Sequence, residues 1–179
     1  MQLILITGLS GSGKSVALNV LEDAGFYYVD NLPARLLPQT VGFLAESGHP
    51  RTALSVELRS TEAIAELPRQ LEEFRARGHD VRVLFLEAKT DTLIKRFSET
   101  RRRHPLAGDG NALDGIRAER RALSDLREIA DRILDTSALT VHQLKDRLVE
   151  LYVAPKARPG LATSLVSFGF KHGLPVDAD

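Results

Sequence analysis

A three-layer α/β fold around a mostly parallel five-stranded sheet is what this 179-residue sequence predicts, on three observations. Short apolar runs alternate with stretches of helical period, which is the signature of βαβ units. The first apolar run feeds a glycine-rich loop that opens a helix. Turn residues then punctuate the remaining units at intervals that suit right-handed crossovers, with helices on both faces of the sheet.

Each element has its own justification. Residues 2–7, "QLILIT", are an apolar run suited to a buried parallel strand. From 14 to 24, Val16, Leu18, Val20 and Leu21 mark one helical face, and Gly25 ends the helix. Residues 26–30, "FYYVD", form a second strand that stops before Pro33, because proline cannot continue a central ladder. A helix over 34–46 follows, with Pro38 marking a kink or a late start. Third, fourth and fifth strands are predicted at 52–58 ("TALSVEL"), 82–88 ("RVLFLEA") and 132–135 ("RILD"). Helical patterns fill 61–77, 90–102, 116–130 and 141–152. One domain over 1–153 results. Residues 154–160, "APKARPG", read as a linker. Residues 161–179 read as the start of a truncated C-terminal domain, against the alternative of an extra edge strand on the first sheet.

Composition narrows the function classes. Lys plus Arg and Asp plus Glu both total 24, so no net field draws the molecule to nucleic acid or membrane, and any anion site is local. The chain has no Cys, which excludes disulfides, thiolate metal sites and cysteine nucleophiles. The first apolar run is too short for a membrane span or signal core, so a cytoplasmic protein is expected. The five histidines are scattered without ligand-like spacing, which argues against a histidine metal site.

Gly8-Leu9-Ser10-Gly11-Ser12-Gly13-Lys14-Ser15 matches G-x-x-x-x-G-K-[ST] between a strand and a helix, a pattern met by chance in on the order of one such chain in a hundred. Glycines let successive N–H groups curl toward phosphate oxygens, and the helix start adds its positive end. Lys14 suits the β- and γ-phosphates. Ser15 offers a hydroxyl to Mg²⁺. Asp30, at the carboxyl end of the second strand, can hold Mg²⁺ or orient a nucleophile, or else cap the next helix. Glu87 closes the fourth strand, either beside the phosphates or as a solvated charge. "RFSETRRRHPL" carries Arg96, Arg101, Arg102 and Arg103 next to the loop-rich "HPLAGDGNALDG". Arg102 and Arg103 are candidates for a closing lid that neutralises developing charge, with one arginine at most touching phosphate; the alternative is a solvated helix end. Asp135-Thr136-Ser137 follows the fifth strand at the edge where such folds often wrap the purine, and reads better as the cap of the last helix.

"GLSGSGKSVALNVLEDAGFYYVDNLP", "LFLEA", "RFSETRRRHPL", "ILDTS" and "SFGFKHGLPVDAD" together resemble the RapZ/YvcJ family of bacterial P-loop proteins over essentially the whole chain. The resemblance implies a P-loop kinase-like fold that binds ATP and GTP and hydrolyses both weakly. It also implies a GTP segment at Glu57-Leu58-Arg59-Ser60, where the Glu57 carboxylate can accept from guanine N–H donors and so favour GTP, the alternative being a strand-end ion pair of Glu57 with Arg59. Family members usually carry Asp at the position of Glu57, and more often Asp at that of Glu87. They continue into a C-terminal domain that, in the best-known members, binds a small regulatory RNA and an amino-sugar phosphate and presents RNA to a ribonuclease. Those partners are therefore expected only through the missing domain, and homo-oligomers are suggested. Three readings stand: a regulatory domain that slowly hydrolyses ATP or GTP with Mg²⁺, a small-molecule P-loop kinase, and an adaptor with a vestigial loop.

Overall fold

The computed structural model describes residues 1–153 apart from 59 and 109. The expected linker at 154–160 and the expected further domain at 161–179 lie outside the described residues, as does Arg59.

Five strands form one sheet: β1 Gln2–Gly8, β2 Tyr27–Pro33, β3 Arg51–Glu57, β4 Asp80–Glu87 and β5 Arg132–Asp135. Their spatial order is β2-β3-β1-β4-β5, and every pairing is parallel. The helices are α1 Lys14–Asp23, α2 Leu37–Glu46, α3 Thr61–Ala76, α4 Thr90–Thr100, α5 Ala112–Ala122, α6 Ser124–Glu128 and α7 Val141–Tyr152. Because side chains alternate along a strand, β1 serves two cores at once. Leu3 and Leu5 face α2, α3, α4 and α5, whereas Ile4 and Ile6 face α1 and α7. All four are fully buried, as a central strand sandwiched between helix layers requires.

Several boundaries depart from the sequence expectation. β2 continues through Pro33, which pairs with Glu57 of β3. The missing proline N–H is tolerated because β2 lies at the sheet edge. Its register shifts between Val29 and Leu32, and Asn31 sits at a positive φ of 54°, so this rim of β2 is bulged. The stretch from 34 begins as a single 3-10 turn, Ala34–Leu36, before α2 starts with Pro38 in its first turn. There the imino nitrogen has no hydrogen bond to lose, so the late start is the correct alternative.

The helix expected over 116–130 is two helices. α5 starts earlier, with the Asn111 side chain accepting from the Asp114 N–H at 3.0 Å. It gives way at Leu123 to the short α6. The loop-rich lid stretch is correspondingly shorter, ending where α5 begins. Finally, α7 is capped by Thr140 in a reciprocal capping box with Gln143, not by Asp135. Asp135 instead accepts from the Ser137 backbone N–H at 2.8 Å, and from its hydroxyl, a local turn that spends its carboxylate before the helix starts. Among the described residues, no helix is long and apolar enough to cross a membrane.

Candidate functional site

Parallel topology brings the carboxyl ends of all strands to one rim, and β1 lies where the chain order departs in two directions, toward β3 and toward β4. That rim is where open α/β sheets hold ligands. The Gly8–Ser15 loop leaves β1 there. Gly8 has φ 127°, and a Cβ on it would stand 2.0 Å from the Leu86 carbonyl oxygen. Only glycine therefore lets the loop root press against β4, where the Leu9 N–H donates to that same oxygen at 3.0 Å. The loop ends at Gly13, directly before α1, so the free N–H groups of the first helical turn point at the cradle.

Lys14 lies folded across the loop, its Nζ donating to the carbonyls of Gly8 at 2.8 Å and Leu9 at 3.0 Å. Burial pushes its ammonium below the usual lysine range, while the carboxylates of Glu119 and then Asp30 oppose that shift. Ser15 donates its hydroxyl to Asp30 Oδ2 at 2.9 Å. The two oxygen ligands expected for Mg²⁺ thus meet at the mouth of the loop. Hard, exposed oxygens suit Mg²⁺ shared with a phosphate better than an all-protein cage. Among the described residues, no group of three or more His, Asp or Glu side chains is arranged to hold a metal by itself.

Two spaces flank Lys14. On one side a groove of about 610 Å³ runs between Arg96, Phe97, Thr100 and Arg102 at the α4 end and Leu139, Thr140 and Val141 at the start of α7. On the other side is a chamber of about 100 Å³, bounded by Thr7, Ser10, Asn31, Glu57, Leu58 and Glu119.

The remaining expected residues distribute unevenly. Arg102 lines the groove. Arg103 is exposed and is not among the residues lining either space. Glu57 and Leu58 wall the chamber. Ser60, by contrast, caps α3 by accepting from the Ala63 N–H at 3.2 Å. Ser12 is buried, and its N–H donates to the Leu9 carbonyl at 3.1 Å. Glu87 turns to Arg127, with oxygen–nitrogen distances of 2.8 and 3.0 Å. That guanidinium's hydrogen bond holds the carboxyl below the usual range. Arg96 is a clamp: it donates to the Gly11 carbonyl at 3.0 Å and to the Thr136 carbonyl at 2.8 Å, tying the loop to the end of β5.

Glu119, which sequence reasoning missed, closes the chamber. Its Oε2 accepts from the Ser10 N–H at 2.8 Å, and its Oε1 from the Ser10 hydroxyl at 2.7 Å. His104, buried behind it, accepts the Leu106 N–H on Nδ1 at 3.1 Å. Its proton therefore sits on Nε2, which lies 3.1 Å from Glu119 Oε2 and donates to it. Gly115 makes room for this packing, since a Cβ there would fall 2.4 Å from His104 Nδ1. A signal for Glu119 did exist. It shares a helical face with the buried Ile116 and Leu123, and a carboxylate on an apolar stripe needs a partner.

Comparison with known proteins is consistent with this architecture. The family model of the RapZ-like N-terminal domain matches residues 1–156. A nucleotide-binding protein of Myxococcus xanthus is 52% identical over 179 residues, covering 99% of this chain and 62% of that protein. One of Aromatoleum aromaticum is 51% identical over 180 residues, covering 100% of this chain and 61% of that protein. The chain thus spans about three fifths of the length of these relatives. Among solved structures, a sugar kinase from Janibacter superposes with a TM-score of 0.59 at 19% identity, covering 87% of this chain and 96% of that one. Shikimate kinase from Acinetobacter baumannii, in complex with shikimate, gives 0.58 at 19%, covering 88% and 96%. These two likenesses establish the P-loop kinase-like fold alone. The chain belongs to the family of the RapZ-like N-terminal domain.

Proposed function

We propose that this domain binds Mg²⁺ with ATP or GTP, hydrolyses the terminal phosphate slowly, and serves as a nucleotide-dependent regulatory part of a longer protein. The observation that carries the reading is the position of Lys14, on a strand–loop–helix cradle, between an open groove and a small chamber. The groove suits a nucleoside, with Phe97, Leu139 and Val141 offering apolar surface and Arg96 holding its wall. The phosphates then run over Gly11–Ser15 toward Ser10. Lys14 takes the β- and γ-oxygens, and Ser15 with Asp30 takes the metal. Arg102 supplies charge from the groove side, and Arg103 joins it on closure of the segment before α5.

The chamber favours water as the acceptor. About 100 Å³ is less than the roughly 150 Å³ cavity that accommodates benzene, so a sugar or nucleoside does not fit beside the terminal phosphate in this form. Its polar wall of Thr7, Asn31 and Glu57 supports the second reading, a small-molecule kinase that opens on its substrate. Glu57 and Leu58 bound the same chamber, so on this reading they stand beside the terminal phosphate, which ATP and GTP share, and choice between the two bases falls to the groove. Contacts with RNA, a ribonuclease or further copies of the chain are assigned to the longer protein, and a cytoplasmic location goes with that role.

Calorimetric titration with Mg·ATP and Mg·GTP, paired with phosphate release, tests the reading. Micromolar binding and slow release are expected, with affinity weakened by about ten- to a hundredfold and release lost in Lys14→Ala. Stoichiometric transfer to an added sugar, nucleoside or metabolite would replace hydrolysis by the kinase reading. A chain that binds neither nucleotide refutes the site.

A further inference from the structure

The loop's terminal-phosphate end is already occupied by a carboxylate of the same chain. The groove contacts Gly11, Ser12, Gly13 and Ser15, whereas the chamber contacts Gly8 and Ser10, with Lys14 common to both. A nucleotide seated in the groove therefore directs its last phosphate at Ser10. There the Ser10 N–H and hydroxyl are both given to Glu119, at 2.8 and 2.7 Å. This is the two-point grip that a backbone N–H and a hydroxyl make on any oxyanion. Lys14, which would reach that phosphate, is instead turned onto the Gly8 and Leu9 carbonyls.

We propose that Glu119 is a specificity-determining residue that distinguishes nucleoside triphosphates from diphosphates, by holding the Ser10 donors that a terminal phosphate needs. The proposal rests on the nucleotide-binding reading above and adds to it which ligand the resting loop prefers. A diphosphate ends over Gly13 and Lys14 and leaves the Ser10–Glu119 contact intact. A triphosphate brings a second anion to donors that cannot serve both, so it binds only by displacing the carboxylate. Displacement is costly because Glu119 is anchored from behind by His104, itself wedged against Gly115 of α5 and set 5.1 Å, ring to ring, from Phe97 of α4. Moving Glu119 deprives His104 of its acceptor. The presence of a terminal phosphate is thereby passed to the residues between α4 and α5, which include Arg101, Arg102 and Arg103.

The test compares Glu119→Gln and Glu119→Ala with the unmodified chain in calorimetric titrations with GTP, GDP, ATP and ADP, each with Mg²⁺. Both variants should tighten the triphosphates by about tenfold relative to the matching diphosphates, since one charged competitor for the Ser10 donors is gone. Nitrogen-resolved NMR of the unmodified chain supplies a readout that a merely structural role would not move. The Ser10 amide and His104 Nε2 signals should shift with GTP and hold with GDP. A triphosphate-to-diphosphate ratio unchanged in both variants, or shifted toward the diphosphate, overturns the proposal while leaving nucleotide binding intact. So do His104 signals that ignore GTP. If the unmodified chain and both variants bind no nucleotide at all, the nucleotide reading fails and this one with it.

Discussion

The two sides of Lys14 are built on opposite principles. The groove side is wide, part apolar, and assembled from α4 and the start of α7. Its one polar clamp, Arg96, is spent on backbone carbonyls of Gly11 and Thr136. The chamber side is small and closed by a chain of charge-assisted hydrogen bonds from His104 through Glu119 to Ser10. Apolar walls tolerate exchange of what they touch, because contact energy is non-directional. A hydrogen-bonded carboxylate is selective, because its donors must be given up before another anion can take them. On the proposed reading, the difference puts recognition of the nucleoside on one side and recognition of phosphate number on the other.

The change with the largest expected effect removes both sides at once. Gly8→Ala forces a Cβ to within 2.0 Å of the Leu86 carbonyl at a positive φ. It should cost at least about 2 kcal/mol of stability, read as a lowered midpoint in denaturant unfolding. A variant that melts like the parent would show that the loop root can shift away from β4.

Next, Lys14→Ala keeps both spaces but removes the charge between them. Nucleotide affinity should fall by about ten- to a hundredfold, the worth of one charge-assisted contact, with little change in melting temperature.

Val141→Ser sharpens the contrast. Val141 is 60% exposed at the groove mouth, so the fold should not notice the change. ATP and GTP should weaken by about fivefold through lost apolar contact, while inorganic tripolyphosphate binds as before. Equal losses for nucleotide and tripolyphosphate would mean that the groove is not the nucleoside side.

The smallest effect lies outside both spaces. Glu87 is held below its usual pKa by the Arg127 hydrogen bond. A carboxylate with a depressed folded pKa stabilises above its unfolded value, and that contribution disappears as pH falls through the folded one. Glu87→Gln should therefore be slightly less stable than the parent at neutral pH. The two should converge below the carboxylate range, with nucleotide binding unchanged throughout. A binding defect in this variant would return Glu87 to the phosphate site.

Much of this was legible before any coordinates. Local period and punctuation located all five strands, and the ends of β5 and α7 agree to the residue, because a buried parallel sheet demands uninterrupted apolar runs whose limits glycine and proline mark. The cradle from Gly8 to Ser15 was equally plain, since its chemistry is carried by eight consecutive residues. What local pattern misjudged was context. Pro33 continues β2 because β2 is an edge, and whether a strand is an edge is a property of the sheet. The break between α5 and α6 leaves little trace in the amphipathic pattern.

The sequence by itself determined the layered parallel fold and the glycine-rich loop between β1 and α1, both of which follow from short-range spacing and βαβ geometry. Only the tertiary structure decided which distant charges share the loop. Glu119 stands 109 positions from Ser10, Arg96 85 from Gly11, and Glu87 pairs with Arg127 40 positions away. Such contacts depend on how α4 and α5 pack over the sheet rim. A charged side chain on a helix carries no mark of which of its neighbours will be buried with it until that packing exists.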